Sequence, residues 1–197
     1  MASEAEERIR AKAERALRAH WPEARIIHEL MLRQGGCRVD LAAVTPDRLI
    51  VIEVKSERDV LTRLERQLTE AREVADYALV AVAEKHLEKA RPIAGWLGCC
   101  GEDEIGDEIG RRGWRQSLEA TCNAPARLSM LWASELRRVA GTGPKAARGF
   151  SILSASDNLT GAEVRRRVCA ALRARPFPRA DPPVVSELFP EPSTGSF

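Results

Sequence analysis

Residues 49–54 read Leu-Ile-Val-Ile-Glu-Val, and this run most constrains the fold. Its apolar, β-branched residues point to both faces of an extended chain, the pattern of a central strand covered above and below. A sheet covered on both faces needs helices on both sides. The flanking sequence supplies them. Residues 38–44, RVDLAAV, read as a strand, and Thr45-Pro46-Asp47-Arg48 as the turn joining it to 49–54. Leu61, Leu64, Leu68, Ala71 and Ala75 then mark an amphipathic helix, and 77–83, YALVAVA, a further apolar strand. Residues 3–20 carry Ile9, Ala13, Ala16 and Leu17 at helical spacing, and Trp21-Pro22 ends that helix. Residues 25–32, RIIHELML, fit helix or strand, and Gln34-Gly35-Gly36 turns the chain. The order predicts an α/β fold with a mixed central sheet flanked by helices. The strand after the crossover helix should lie parallel to a hairpin strand.

Beyond residue 90 the reading is coarser. Ile93–Cys100 suggests another strand and 101–113 a loop rich in Gly and acids. Leu128–Val139 suggests a helix stopped by Gly141-Thr142-Gly143-Pro144. Residues 160–174 suggest a helix with Thr160 as N-cap and Glu163 as its capping-box partner. Trp96, Trp114 and Trp132 are expected in the core or at packing contacts. The organisation expected is a core over 1–125, a helical basic extension over 126–175 packed on it, and a Pro-rich mobile tail over 176–197.

Composition sets outer bounds. The 197 residues are 44% hydrophobic and 30% charged, enough for a packed core and against wholesale disorder. No stretch approaches the roughly 18 consecutive apolar residues of a membrane span. The charged N-terminus has no apolar signal region, and the five cysteines are an odd number. Both point to a cytoplasmic protein with reduced thiols. No CxxC or Cys/His spacing supports a zinc site. Net charge is only +2, but Arg137 to Arg179 holds ten Lys/Arg against Asp157 and Glu163. Such a segment either attracts a polyanion or forms a solvated face.

The chemistry lies in Asp40, twelve residues, then Glu53-Val54-Lys55. With Val44 facing Leu49 across the turn, counting back along both strands sets Asp40 opposite Glu53. Opposed cross-strand Cβ atoms lie about 5 Å apart, and two carboxylates so placed repel. Lys55 shares the face of Glu53 because the strand period is two. Paired carboxylates beside an ammonium call for a hard cation, Mg²⁺ or Mn²⁺, and a phosphate-bearing substrate. Arg38, Ser56, Arg58 and Arg63 lie near in sequence and suit either phosphate contacts or ion pairs with Glu57, Asp59 and Glu65.

The run GCRVDLAAV…LIVIEVKS and its following helix resemble the PD-(D/E)XK nuclease superfamily, with Val39 where the name of the superfamily has proline. The stretch through ADYALVAVAEKHLEKA, with LWASEL and RRRVCAALRAR further on, is similar to a group of small uncharacterised nuclease-like proteins of bacterial and phage genomes. The resemblance spans roughly residues 23–175 and is specific over 29–90. It implies an αβββαβ core with a C-terminal helical extension, and a Mg²⁺- or Mn²⁺-dependent deoxyribonuclease, an endonuclease in a phage, mobile-element or DNA-processing context. Asp40 and Glu53 would be metal ligands, with the Val54 carbonyl as a third. Lys55 would be the catalytic lysine, and Gln67 would approach the attacking water or a phosphate. Glu29 would complete or support the metal site, with Glu14 on the first helix as a competing candidate. DNA would be the partner, single- or double-stranded, engaged by one chain or by a homodimer. Arginines of the C-terminal segment would hold the DNA backbone. The other reading is a non-catalytic nucleic-acid- or protein-binding module on the same fold.

Overall fold

The computed structural model describes residues 4–33, 35–95, 97–111 and 123–190. Helix α1, Glu4–His20, leads into strands β1, Arg25–Met31, β2, Arg38–Val44, and β3, Leu49–Lys55. Helix α2, Leu64–Val74, then crosses to β4, Tyr77–Val82. Helix α3, Glu84–Ala94, leads to β5, Gly98–Gly101, and a 3₁₀ turn runs into the short α4, Ile105–Gly110. After residue 122 come α5, Ala124–Leu128, α6, Ala133–Ala140, α7, Arg148–Asn158, and α8, Gly161–Ala174.

The five strands lie in the order β1-β2-β3-β4-β5. The first two pairings are antiparallel, and β3–β4 and β4–β5 are parallel, so the sheet is mixed as expected. Every residue of β3 is buried, which fits its central position. On one face Ile50, Ile52 and Val54 meet Ile9, Ala13 and Leu17 of α1 and Ile105 and Ile109 of α4. On the other, Leu49 and Val51 join a larger core with Leu64, Leu68, Leu128, Leu136, Val164, Val168 and Leu172. The C-terminal helices therefore share one apolar core with the sheet. A buried ion pair reinforces that contact: Asp76 accepts from the Leu49 N–H at 2.8 Å and from both Arg127 Nη atoms at 3.2 and 2.7 Å.

Local signals account for the best-read elements. Thr160 and Glu163 form the expected capping box, with Glu163 Oε2 on the Thr160 N–H at 2.8 Å and Thr160 Oγ1 on the Glu163 N–H at 3.2 Å. Gly141 closes α6 in the left-handed region, φ 64°.

Several expectations are corrected. The ambiguous 25–32 segment is a strand, held by its pairing with β2. The acid-rich run contains α4, whose Ile105 and Ile109 lie one helical turn apart and are buried. The strand expected at 93–100 is the shorter β5, preceded by α3. Of the two places expected for Trp132, core or packing contact, it takes the second: it is 48% exposed and stacks under the Arg175 guanidinium, 4.5 Å from the ring centroid. Trp96 and Trp114 lie outside the described residues. The tail expected to be mobile is laid along the edge of β1 up to Asp181. The His28 N–H donates to the Arg179 carbonyl at 2.8 Å and the Asp181 N–H to the Ile26 carbonyl at 3.0 Å. This covers a sheet edge that would otherwise expose unpaired backbone groups. Residues 191–197 of that tail lie outside the described residues.

Candidate metal and phosphate site

The β2–β3 ladder runs from Val44↔Leu49 to Leu41↔Ile52, the register that sets Asp40 against Glu53. Beyond the last rung the backbone groups are freed for other partners. Asp40 Oδ2 accepts the Val54 N–H at 2.8 Å. The carbonyl of a strand residue points to the same edge as its N–H, so the Val54 carbonyl faces this gap too.

Glu53 is 4% exposed and Lys55 6% exposed. Glu53 Oε1 accepts from Lys55 Nζ and from Gln67 Nε2, each at 2.5 Å. Glu53 Oε2 is buried and has no hydrogen-bond partner among the described residues. Leaving a buried charged acceptor unsatisfied costs about 1–3 kcal/mol or more. Burial pushes the Glu53 carboxyl up to about 7, and the Asp40 charge adds to that, against Lys55 and Gln67. Burial also raises the Asp40 carboxyl, opposed by the Val54 N–H and by Arg10. A cation between the two carboxylates would relieve both effects.

Asp40, Glu53, Val54, Lys55 and Gln67 line one cleft of about 500 Å³, brought together from β2, β3 and α2. Gln67 reaches it because Leu64 and Leu68 turn that side of α2 onto the sheet. Glu29 stands apart. Its carboxylate meets Arg38 at 3.1 Å and Arg179 at 2.8 Å, and its backbone lies in the left-handed region, φ 58°. The kink interrupts strand alternation, so Ile27 and Leu30 enter the same core. Glu14 pairs with Arg18 at 2.7 Å and His28 at 3.5 Å.

The acid that does line the cleft from α1 is Glu6, which sequence reasoning missed. It is joined to Asp40 through Arg10, whose Nη2 lies 2.6 Å from Glu6 Oε1 and 3.2 Å from Asp40 Oδ1. The signal was present: Glu6 and Arg10 are four residues apart and flank Ile9 on the buried stripe of α1.

Among the described residues no group of three or more His, Cys, Asp or Glu is arranged to hold a metal ion. Two carboxylates and a carbonyl nevertheless fit Mg²⁺, which commonly takes one or two carboxylates and keeps waters for a substrate phosphate. The unsatisfied Glu53 oxygen beside Asp40 is the observation on which that fit rests.

Arg38, Arg63 and Arg66 stand on the cleft rim. Asp59 accepts from the Ser56 N–H and hydroxyl, a pairing within the sequence expectation, whereas Arg38 pairs with Glu29 and Arg66 with Glu70, acids outside it. In the basic C-terminal segment many arginines serve the fold. Arg137 donates to the Ala146 carbonyl, Arg148 to those of Ser129 and Leu131, Arg167 to that of Val139, and Arg173 to those of Glu23 and Val44.

The model of the family described as bacteriophage P4 protein cII matches residues 3–180. The chain belongs to that family. No curated protein matches the chain. Among solved structures, the SPO1766 protein of unknown function from Silicibacter pomeroyi is similar at 24% identity with a TM-score of 0.40. That match covers 50% of this chain and 64% of that one. Membership in a phage protein family therefore stands beside a cleft assembled from β2, β3, α1 and α2. Among the described residues no helix is long and apolar enough to cross a membrane.

Proposed function

We propose that the chain is a divalent-metal-dependent nuclease that hydrolyses phosphodiester bonds of DNA in a phage or mobile-element setting. The observation that carries this reading is the buried Glu53 oxygen without a hydrogen-bond partner among the described residues, beside Asp40 in a cleft also lined by Lys55 and Gln67. Asp40, Glu53 and the Val54 carbonyl would hold Mg²⁺ or Mn²⁺. Such an ion lowers the pKa of a bound water and neutralises charge on a phosphoryl oxygen. Lys55 keeps its ammonium at the cleft through Glu53, where it would stabilise charge developing on the phosphate. Gln67 fixes both side chains and would orient the attacking water. Arg38, Arg63 and Arg66 would contact flanking phosphates without reading sequence. The family match supports the phage setting.

The test is incubation with linear, circular single-stranded and supercoiled DNA in Mg²⁺, Mn²⁺ and EDTA, with Glu53→Ala alongside. Metal-dependent cleavage lost in the variant is expected, and cleavage of circular forms makes the enzyme an endonuclease. Salt-sensitive DNA affinity with no cleavage of any substrate would replace this reading with a binding module.

A further inference from the structure

Arg10 is 6% exposed and its Nη2 lies between two carboxylates, Glu6 and Asp40. Its Nε is buried and has no hydrogen-bond partner among the described residues. The guanidinium is therefore held there for its charge at the expense of one of its own donors. Asp40 divides its two oxygens: Oδ2 faces the Val54 N–H and Oδ1 faces Arg10. The unsatisfied Glu53 oxygen belongs to the same cleft.

Two-metal phosphodiesterase sites hold their ions about 3.5–4 Å apart, commonly across a shared carboxylate. In this cleft the shared carboxylate would be Asp40, with one ion toward Glu53 and a second toward Glu6. The second position is where the guanidinium stands. We propose that Arg10 is a built-in counter-ion occupying that second cation position, so the cleft binds a single divalent ion per chain. An arginine is never deprotonated in a protein, so it cannot yield the position by losing its charge. Arg10 acts through Asp40 and is a positioning residue. The inference rests on the metal reading above and concerns only the number of ions.

The test counts Mn²⁺ by equilibrium dialysis and by electron paramagnetic resonance on the full chain, without DNA. The wild type is expected to bind one Mn²⁺ and give an uncoupled spectrum. Arg10→Gln, which takes the charge from between Glu6 and Asp40, is expected to bind two and show the broadened spectrum of a spin-coupled pair. Arg10→Lys, which keeps a charge there, is expected to return the count to one. Two ions bound by the wild type, or a single ion retained by folded Arg10→Gln, overturns the proposal and leaves the metal reading intact. No Mn²⁺ bound by the wild type overturns both. Where Arg10→Gln does not fold, Arg10→Met is counted in its place, and one or two ions bound carry the same meaning.

Discussion

Gln67 joins Glu53 to Lys55. Its Nε2 donates to Glu53 Oε1 at 2.5 Å, and its Oε1 accepts from Lys55 Nζ at 3.1 Å. One amide thus bonds one oxygen of a buried carboxylate and a buried ammonium, fixing both against the cleft. Gln67→Ala should lower cleavage by roughly 10–100-fold through lost positioning. Its stability cost should stay near 1 kcal/mol, the net worth of such hydrogen bonds. Cleavage assays and urea unfolding on the same preparation check the pair of values. Cleavage at the wild-type rate would mean that Gln67 only stabilises the helix edge.

Lys55 and Asp40 should separate binding from chemistry. Lys55→Ala should retain Mn²⁺ while cleavage falls by about 10²-fold or more, the usual cost of losing charge stabilisation at a reacting group. Asp40→Asn should lose both, because its carboxylate is a proposed ligand. Calorimetric Mn²⁺ titration with single-turnover cleavage distinguishes them. Normal cleavage by Lys55→Ala would remove the lysine from the mechanism.

The hairpin at the centre of this site is legible because its signals are local. The Thr45–Arg48 turn fixes the register from Val44↔Leu49, and counting back sets Asp40 against Glu53. The capping box of α8 is likewise readable within four residues of sequence. What escaped depends on distant partners. Helix α7 presents Phe150 and Leu153 outward, so its pattern lacks a polar face. The 179–181 segment is ordered by hydrogen bonds to β1, about 150 residues away in sequence. Charge counting finds the C-terminal arginines but not their direction, and many point at backbone carbonyls. Glu29 fits an acidic position in the sequence pattern, yet its positive φ and two arginine partners turn it to another use.

Glu29 gives a test of its own. A non-glycine residue in the left-handed region costs about 1–2 kcal/mol. The exposed pairs it makes with Arg38 and Arg179 return little. Glu29→Gly should therefore leave stability unchanged or raise it by about 1 kcal/mol, since glycine removes strain but adds freedom to the unfolded chain. Mn²⁺ affinity should be unchanged. Loss of Mn²⁺ binding in a folded Glu29→Gly protein would restore Glu29 as a ligand.

The contact between α1 and the turn after β5 should be acid-labile. Glu102 accepts from Arg8 at 2.8 Å on both oxygens, and Lys12 lies 2.8 Å away. The Arg8 hydrogen bonds, helped by Lys12, pull its carboxyl down to about 2. A carboxyl depressed on folding contributes stability that is fully present above its unfolded pKa of about 4.3. That contribution fades as pH falls through this value toward 2, because the unfolded chain takes up the proton first. The stability gap between wild type and Glu102→Gln should be flat at neutral pH and close below about pH 4.5. Thermal melts across pH 2.5–7 measure it, and a gap that widens on acidification contradicts the sign.

Arg25 ties the two ends of the chain together. It is 2% exposed, and its Nη1 donates to the carbonyls of Leu172, Arg173 and Arg175 at 2.9, 2.8 and 2.7 Å, while Nε donates to that of Asp181 at 2.9 Å. The carbonyls at the end of α8 have no partner within the helix, and the negative end of its dipole favours a cation. Arg25→Met keeps much of the bulk but takes the guanidinium donor from these carbonyls, of which that of Arg173 keeps the Val184 N–H at 2.7 Å. The cost should be about 2–4 kcal/mol, with several acceptors lost together. Loosening should extend to the strapped segment, so hydrogen exchange at the His28 and Asp181 amides should accelerate ahead of exchange in β3. Unchanged protection at those two amides would mean that the segment is held by the Arg18–Asp181 pair and the backbone bridge without help from Arg25.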